Sequence, residues 1–216
     1  MALQQSISII IPVYNESATI TILLEHLNKM VSSFSNIEEI ILVDGGSQDD
    51  TCKIISTYIT ESKSKIKTVL FNSSKGRAKQ MNLGAVKSTA PILYFLHADS
   101  YPPQDFDKHI IEQVATGNTA GCFRMKFNSN HWWLRIAGWL TQFKWRACRG
   151  GDQSQFITRA LFEAIGTYNE QFIIYEDNDL ISKLYARNQY TVIQKWLTTS
   201  ARKYEENGVW LSLIHI

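Results

Sequence analysis

The chain has 216 residues, 44% of them hydrophobic and 19% charged, which suits an ordinary globular protein with one sizeable core. A formal net charge of +2 gives no global pull toward nucleic acid. Three scattered cysteines, Cys52, Cys122 and Cys148, form no CxxC pair, which argues against a disulfide framework or zinc site and for reduced thiols in a cytoplasmic protein.

The N-terminus lacks a basic segment followed by a long apolar run, so no signal peptide is expected. "SISIIIPVYNE" opens with a continuous apolar run, Ile7 to Ile11, typical of a strand buried on both faces, which Pro12 is expected to end. Asn15 or Ser17 is placed to cap the next helix, whose apolar positions Ile20, Leu23, Leu24 and Leu27 share one face. "EEIILVDGGSQDDT" repeats the plan, with a strand over Ile40 to Val43, a Gly-Gly turn and a helix opening near Asp49 or Asp50. "IKTVLFN" and "KGRAKQMNLGAVKS" give a third strand and helix, and "ILYFLHAD" and "PQDFDKHIIEQVA" a fourth pair. Strands alternating with helices at this spacing predict βαβ units and a parallel α/β sheet.

The second half is less regular. "TAGCFRMKF" reads as a strand, "GDQSQFITRALFEAIG" as a strand and helix, and "YEDNDLISKLYARN" as a helix with acids in its first turn. Between them "HWWLRIAGWLTQFKWRACR", residues 131–149, is rich in Trp and basic residues with an apolar face at helical spacing. It reads either as a core-packed helix or as an amphipathic helix making peripheral contact with a membrane surface or a lipid-linked acceptor. No apolar stretch approaches the roughly 18 residues of a membrane span. The final "LSLIHI" is what the frame CTG TCT CTT ATA CAC ATC encodes, a transposon end used in sequencing-library preparation. Residues 211–216 are therefore expected to be a non-native tail, with the native chain continuing past Trp210. No repeat or linker divides the rest, so 1–210 reads as one domain, with a nucleotide-binding half near 6–100 and an acceptor half near 101–210.

In an open parallel sheet, ligands bind beyond the carboxyl ends of the strands. There this chain carries Tyr14-Asn15-Glu16, Asp44-Gly45-Gly46-Ser47, Lys75-Gly76-Arg77 and His97-Ala98-Asp99. Each has a plainer role as cap, turn or solvated charge, but together they bring acids, glycines and cations to one rim. No GxGxxG follows the first strand and no Walker A sequence occurs. A phosphate ligand would thus need a metal and the side chains of Lys75 and Arg77.

"IIIPVYNE", "ILVDGGSQDDT", "KGRAKQMNLGA", "LYFLHADS", "GDQSQF" and "YEDNDL" occur in the order found in family 2 glycosyltransferases, which the chain resembles from Ser6 to about Trp210. The resemblance implies a GT-A fold: a Rossmann-like, mostly parallel sheet flanked by helices, with a smaller mixed acceptor-side region. It implies a hexosyltransferase that moves a sugar from a nucleotide-diphospho-sugar, expected to be a UDP-sugar, to an acceptor hydroxyl with inversion. Pro12, Tyr14 and Glu16 would border the nucleotide, Asp44 would hydrogen-bond its base, and Arg77 would lie toward the diphosphate. The family usually carries Asp-x-Asp after the fourth strand to ligate Mn²⁺ or Mg²⁺, whereas this chain has His97-Ala98-Asp99. Asp99 matches the second acid. An imidazole at His97 would tilt the preference toward Mn²⁺ or a softer metal, or, protonated, would contact a phosphate itself.

"YEDNDL" resembles the family's ED motif, whose aspartate, here Asp177, is expected to be the base, with Glu176 orienting it or binding the acceptor. The plainer reading makes Asp177 a helix cap and Asp179 a favourable charge on the helix dipole. Gly151, Asp152 and Gln153 are expected to line the donor-sugar or acceptor pocket. Two other readings compete. A metal-dependent nucleotidyltransferase would need a Gly-rich, basic loop after the first strand, which "PVYNE" lacks. A binding module without activity is suggested by the missing first acid of the metal motif.

Overall fold

The computed structural model describes residues 5–62, 64–150, 153–172, 175–188 and 190–202. Four strands, β1 (Ile7–Val13), β2 (Ile37–Asp44), β3 (Lys67–Asn72) and β4 (Ile92–Phe95), run parallel in the order β3-β2-β1-β4. Helices α1 (Ile20–Met30), α2 (Thr51–Glu61) and α3 (Arg77–Lys87) connect them. Successive side chains of a strand point to opposite faces, so a run apolar at every position serves a sheet covered on both sides. In β1, Ile9 and Ile11 join Leu23, Leu24 and Leu27 of α1 in one core, while Ile10 joins Ala78, Met81 and Ala85 of α3 in another.

Pro12 does not end β1, which continues to Val13. The pairing of β1 with β4 stops at Ile10 opposite Phe95, so Pro12 lies past the end of that neighbour while still paired to Val43 of β2. A residue without an N–H is tolerated where a ladder has finished on one side. Neither Asn15 nor Ser17 caps α1, which starts behind Thr19 without a side-chain cap. Asn15 takes a left-handed conformation (φ 55°), accepts the Gln48 N–H at 2.8 Å and donates its own to Ser47 Oγ at 2.9 Å, tying the β1 and β2 turns together.

The second half continues the same sheet. Strand β5 (Ser100–Tyr101), helix α4 (Phe106–Ala115), strand β6 (Ala120–Phe127), helix α5 (Trp132–Leu140), strand β7 (Gln155–Thr158), helices α6 (Arg159–Ala164) and α7 (Glu176–Tyr185), and strand β8 (Tyr190–Thr199) follow in chain order. Beyond β4 the order is β7-β6-β8-β5, with β7 antiparallel to β4 and to β6, and β8 parallel to β6. The result is one eight-stranded mixed sheet, parallel in its first half. β5 and β8 have no counterpart among the predicted elements. Two residues of β5 are too few for any period to show, whereas Thr191, Val192 and Ile193 in β8 carry the β-branched signal that identifies a strand.

One buried carboxylate outside the rim fixes the chain's path into β2. Asp107 in α4 is fully buried and accepts from Ser32 N, Ser32 Oγ, Asn36 N and Asn36 Nδ2 at 2.6–3.0 Å. Burial pushes its pKa up, but these hydrogen bonds outweigh that and hold the carboxyl below its ordinary value.

Candidate active site

Parallel strands deliver their carboxyl ends to one edge, and that edge is open. A cleft of about 620 Å³ is lined there by Pro12, Tyr14, Glu16, Lys75, Arg77, His97 and Asp99, all predicted from the sequence. Lys79, Gln80, Glu170 and Phe172 complete its wall. A larger groove, about 1010 Å³ between α1 and α2, contains none of these residues.

Lys75 is not simply solvated. Its Nζ sits 4.1 Å from the centroid of the Tyr14 ring, a cation–π distance that holds the ammonium at the cleft wall. Gly76, at φ 144°, precedes α3, so Arg77 is the first residue of that helix and the helix N-terminus opens onto the cleft. Unpaired N–H groups and the helix dipole make such an end favourable to anions. Glu16 accepts Thr19 Oγ1 at 2.7 Å and pairs with Arg202 Nη2 at 3.2 Å, drawing the residues after β8 to the rim.

Asp44 is only 3% exposed and does not line the cleft. Its carboxylate accepts the N–H groups of Gly46 at 2.8 Å and Ser47 at 3.0 Å and the Ser47 hydroxyl at 2.5 Å. Gly46 makes this turn with φ 86°, a left-handed conformation that costs glycine little. Gly45 answers a different demand. A Cβ there would stand 2.9 Å from Gln80 Oε1, and the Gln80 amide donates to Val13 O at 2.9 Å and Val43 O at 2.7 Å. Gln80 thus clamps the ends of β1 and β2 to α3. It was not among the predicted site residues, because only the fold shows where its amide points.

His97 and Asp99 are both half-buried and face the cleft across the turn after β4, where Ser100 N donates to His97 O at 3.1 Å. Among the described residues no group of three or more His, Cys, Asp or Glu side chains is placed to hold a metal. One imidazole and one carboxylate would suit a divalent cation that takes its other ligands from outside the protein.

An ionic contact joins α3 to α7 beside the cleft. Arg77 donates through Nε to Glu176 Oε1 and through Nη2 to Asp177 Oδ2. Glu176 and Asp177 are 2% and 6% exposed, whereas the Arg77 side chain is 30% exposed and lines the cleft. The guanidinium therefore stands between the cleft and the two acids. Asp177 is not the cap of α7: that position is Tyr175, left-handed at φ 81°, with no side-chain cap bond. Asp179 pairs with Lys183 one turn on, at 2.7 Å. The Tyr168 hydroxyl is buried beside the cluster; burial and, next, the Asp177 charge push its pKa well up.

Gln153 is 7% exposed and outside the cleft lining. Its Oε1 accepts Arg149 Nη1 at 2.9 Å and its Nε2 donates to Cys148 O at 2.9 Å, so its amide ties the chain before β7. Gly151 and Asp152 lie outside the described residues, as do 211–216. Glu170 and Phe172 reach the cleft from the segment after α6, which carries no sequence signal of a site.

The chain is similar in sequence and fold to known proteins. The profile of the family described as Glycosyl transferase family 2 matches residues 8–169. An undecaprenyl-phosphate 4-deoxy-4-formamido-L-arabinose transferase of Yersinia enterocolitica is 31% identical over 105 residues, covering 48% of this chain and 32% of that protein. The protein of the same name from Proteus mirabilis is 22% identical over 197 residues, covering 91% of this chain and 57% of its own. The chain thus spans about a third to somewhat over half the length of these relatives. Among solved structures, S. aureus TarS 1-349 in complex with UDP-GlcNAc superposes with a TM-score of 0.74 at 19% identity, over 91% of this chain and 58% of that one. The mannosyltransferase PcManGT of Pyrobaculum calidifontis, in complex with GDP-Man and Mn²⁺, gives 0.70 at 16% identity over 91% and 57%. The fold is GT-A, and with the family profile spanning more than half of its length, the chain belongs to glycosyltransferase family 2.

Proposed function

We propose that the protein is an inverting hexosyltransferase that takes a sugar from a nucleotide-diphospho-sugar, a UDP-sugar in the first instance, and delivers it to a lipid-linked acceptor at the inner face of the cell membrane. The observation that carries this reading is the meeting of Tyr14, Lys75, Arg77, His97 and Asp99 in one cleft at the carboxyl ends of β1 and β4 and the N-terminus of α3. Two cations and a helix N-terminus suit a diphosphate, and Tyr14 with Pro12 offers a flat wall to the nucleoside. Asp44 shapes the turn beside the cleft, and for its carboxylate to accept an N–H of a base such as uracil it would have to release part of its bonding to Gly46 and Ser47. TarS in its UDP-GlcNAc complex and PcManGT with GDP-Man favour a nucleotide-sugar donor by analogy of fold.

In the proposed reaction the acceptor oxygen attacks the anomeric carbon while the bond from that carbon to the diphosphate oxygen breaks. The electron pair leaves with the nucleoside diphosphate. Asp177 takes the proton from the attacking hydroxyl, Glu176 orients it, and Lys75 and Arg77 balance the charge growing on the leaving oxygen. His97 and Asp99 would hold Mn²⁺ or Mg²⁺, which when bound supplies charge neutralisation worth several kcal/mol, on the order of other metal-assisted transfers. For Asp177 to work as a base, Arg77 must first turn from it toward the diphosphate.

The pairing of Asp177 with Arg77 and its near-complete burial also favour a second reading. Some relatives are named as undecaprenyl-phosphate transferases, and a phosphate acceptor is already anionic and needs no base. The two carboxylates would then serve to aim Arg77. Nuclear magnetic resonance of the protein incubated with UDP-sugars, Mg²⁺ and polyprenyl acceptors tests the common proposal. The expected result is UDP release with a β-linked product from an α-linked donor. Retention of the α configuration would end the inverting assignment.

A further inference from the structure

Helix α5 is amphipathic in an unusual sense. Its inward face is small and apolar: Leu134 is buried, and Gly138 lies so close to β6 that a Cβ would stand 2.9 Å from Met125 O. Its outward face, at the i, i+3, i+4, i+7 spacing of one helical stripe, is Trp132, Arg135, Ile136 and Trp139. Trp132 and Trp139 are 61% and 53% exposed. The helix packs on the core with one face and leaves Trp132 and Trp139 exposed on the other.

A second element builds the same surface. The pairing of β6 with β8 shifts between Phe123 and Arg124, which face Ile193 and Trp196, so β8 bulges there. The bulge carries Gln194, Lys195 and Trp196 out to solvent, and bulges commonly re-aim side chains in this way. Gln194 Nε2 donates to Gln142 O at 3.0 Å, joining the bulge to the end of α5. The Arg124 guanidinium lies 3.5 Å from the Trp196 ring centroid. Beyond α5, Trp145 is 61% exposed and stacks on Phe143 at 4.7 Å. Buried Arg149 anchors this stretch by donating to Thr141 O and Phe143 O, both at 2.6 Å. The exposed aromatics therefore sit on a fixed platform.

Charge selects the occupant. Lys126, Arg135, Lys144, Arg146 and Lys195 are exposed here, and the chain has no Asp or Glu between Gln113 and Gly151. With a net charge of only +2 overall, this is a local basic patch. Tryptophan among Lys and Arg is the composition of a surface lying at the headgroup level of a bilayer. We infer that α5, the residues after it and the β8 bulge form a docking surface for an anionic lipid bilayer. No helix among the described residues is long and apolar enough to cross one. The same edge reaches the candidate site: Asn128 N donates to Thr199 O at 2.8 Å, and Ser200 N to Asp99 O at 3.1 Å. Docking by this face would bring the membrane to the edge that these two bonds join to the Asp99 turn. What that does for an acceptor rests on the transferase reading; the binding itself does not.

The test is sedimentation of the 216-residue protein with vesicles of phosphatidylcholine alone and with about 30 mol% phosphatidylglycerol. Lys and Arg close to an anionic surface are drawn to it, so reversing two of them should be felt. The protein should bind the mixed vesicles and not the neutral ones, and Lys144→Glu with Arg146→Glu should weaken binding about tenfold or more. Trp132→Ser with Trp139→Ser should do the same, with only a small change in melting temperature because both side chains are more than half exposed. No binding to the mixed vesicles, or binding that survives both double substitutions, would overturn the inference. So would self-association through this face, seen as a dimer by light scattering that the tryptophan substitutions dissolve. Thermal stabilisation by UDP, measured on the same samples, separates the outcomes: its loss would sink the transferase reading and leave the vesicle result standing.

Discussion

Asp177→Asn is expected to lower kcat for transfer to a hydroxyl acceptor about 10²–10⁴-fold, the range that a positioned base contributes, while nucleotide binding survives. Asparagine keeps the size of the side chain and a carbonyl oxygen for Arg77, so the contact across the site persists in weaker form. It cannot take a proton. Because Asp177 lies behind Arg77 and is not a lining residue of the cleft, the donor should bind as before. Steady-state kinetics together with calorimetry on UDP checks both halves. A variant that keeps full activity on a hydroxyl acceptor would remove Asp177 from the chemistry. Retained activity on a lipid phosphate, with loss on hydroxyl acceptors, would establish the second reading.

Arg77→Met should be the more damaging change to stability. Glu176 and Asp177 are adjacent and almost fully buried, and Arg77 donates to both. Without it, two adjacent buried carboxylates lose the cation they share. Breaking a buried pair by deleting one partner typically costs about 3–5 kcal/mol. With the guanidinium partly open to solvent, about 3 kcal/mol is the better expectation. In a chain of this size that corresponds to a fall in melting temperature of roughly 6–12 °C. Lys75→Met is the control: its ammonium rests on Tyr14 without a buried carboxylate to leave behind. It should reduce UDP affinity with little effect on the melt. An Arg77→Met protein that melts like the parent would mean that the guanidinium does not hold the two acids in solution.

The parts of this fold that could be read from the sequence are those whose signal is local. β1, β2 and β4 are buried on both faces, so their apolar runs are continuous and end where the polar rim begins. Tyr14, Glu16, Lys75, Arg77, His97 and Asp99 could be picked out because parallel strands and a helix start deliver such residues to one edge, and all six line the cleft. What stayed hidden depends on pairs far apart in the chain. Arg77 meets acids about a hundred positions later, and its reach toward them, not only toward the cleft, appears only when α7 is docked beside α3. The bonds of the Gln153 amide to Arg149 and Cys148 are likewise invisible in the GDQ stretch that suggests a pocket residue. Asp44 was recognised as important, but its carboxylate is engaged by its own turn. The β8 bulge that presents Trp196 is a register shift, and register is a property of two strands.

Calorimetric titration with UDP, GDP, CDP and dTDP, each with and without Mn²⁺, tests the central claim most directly: that the cleft at the end of β1 and β4 is a nucleotide-diphosphate site. The account predicts that UDP binds best, that Mn²⁺ strengthens it, and that Asp99→Ala removes the Mn²⁺ increment while leaving the protein folded. At a ligand concentration about a hundred times Kd, binding should also add about 2.7 kcal/mol to the unfolding free energy. Absence of binding by all four nucleotides would contradict it.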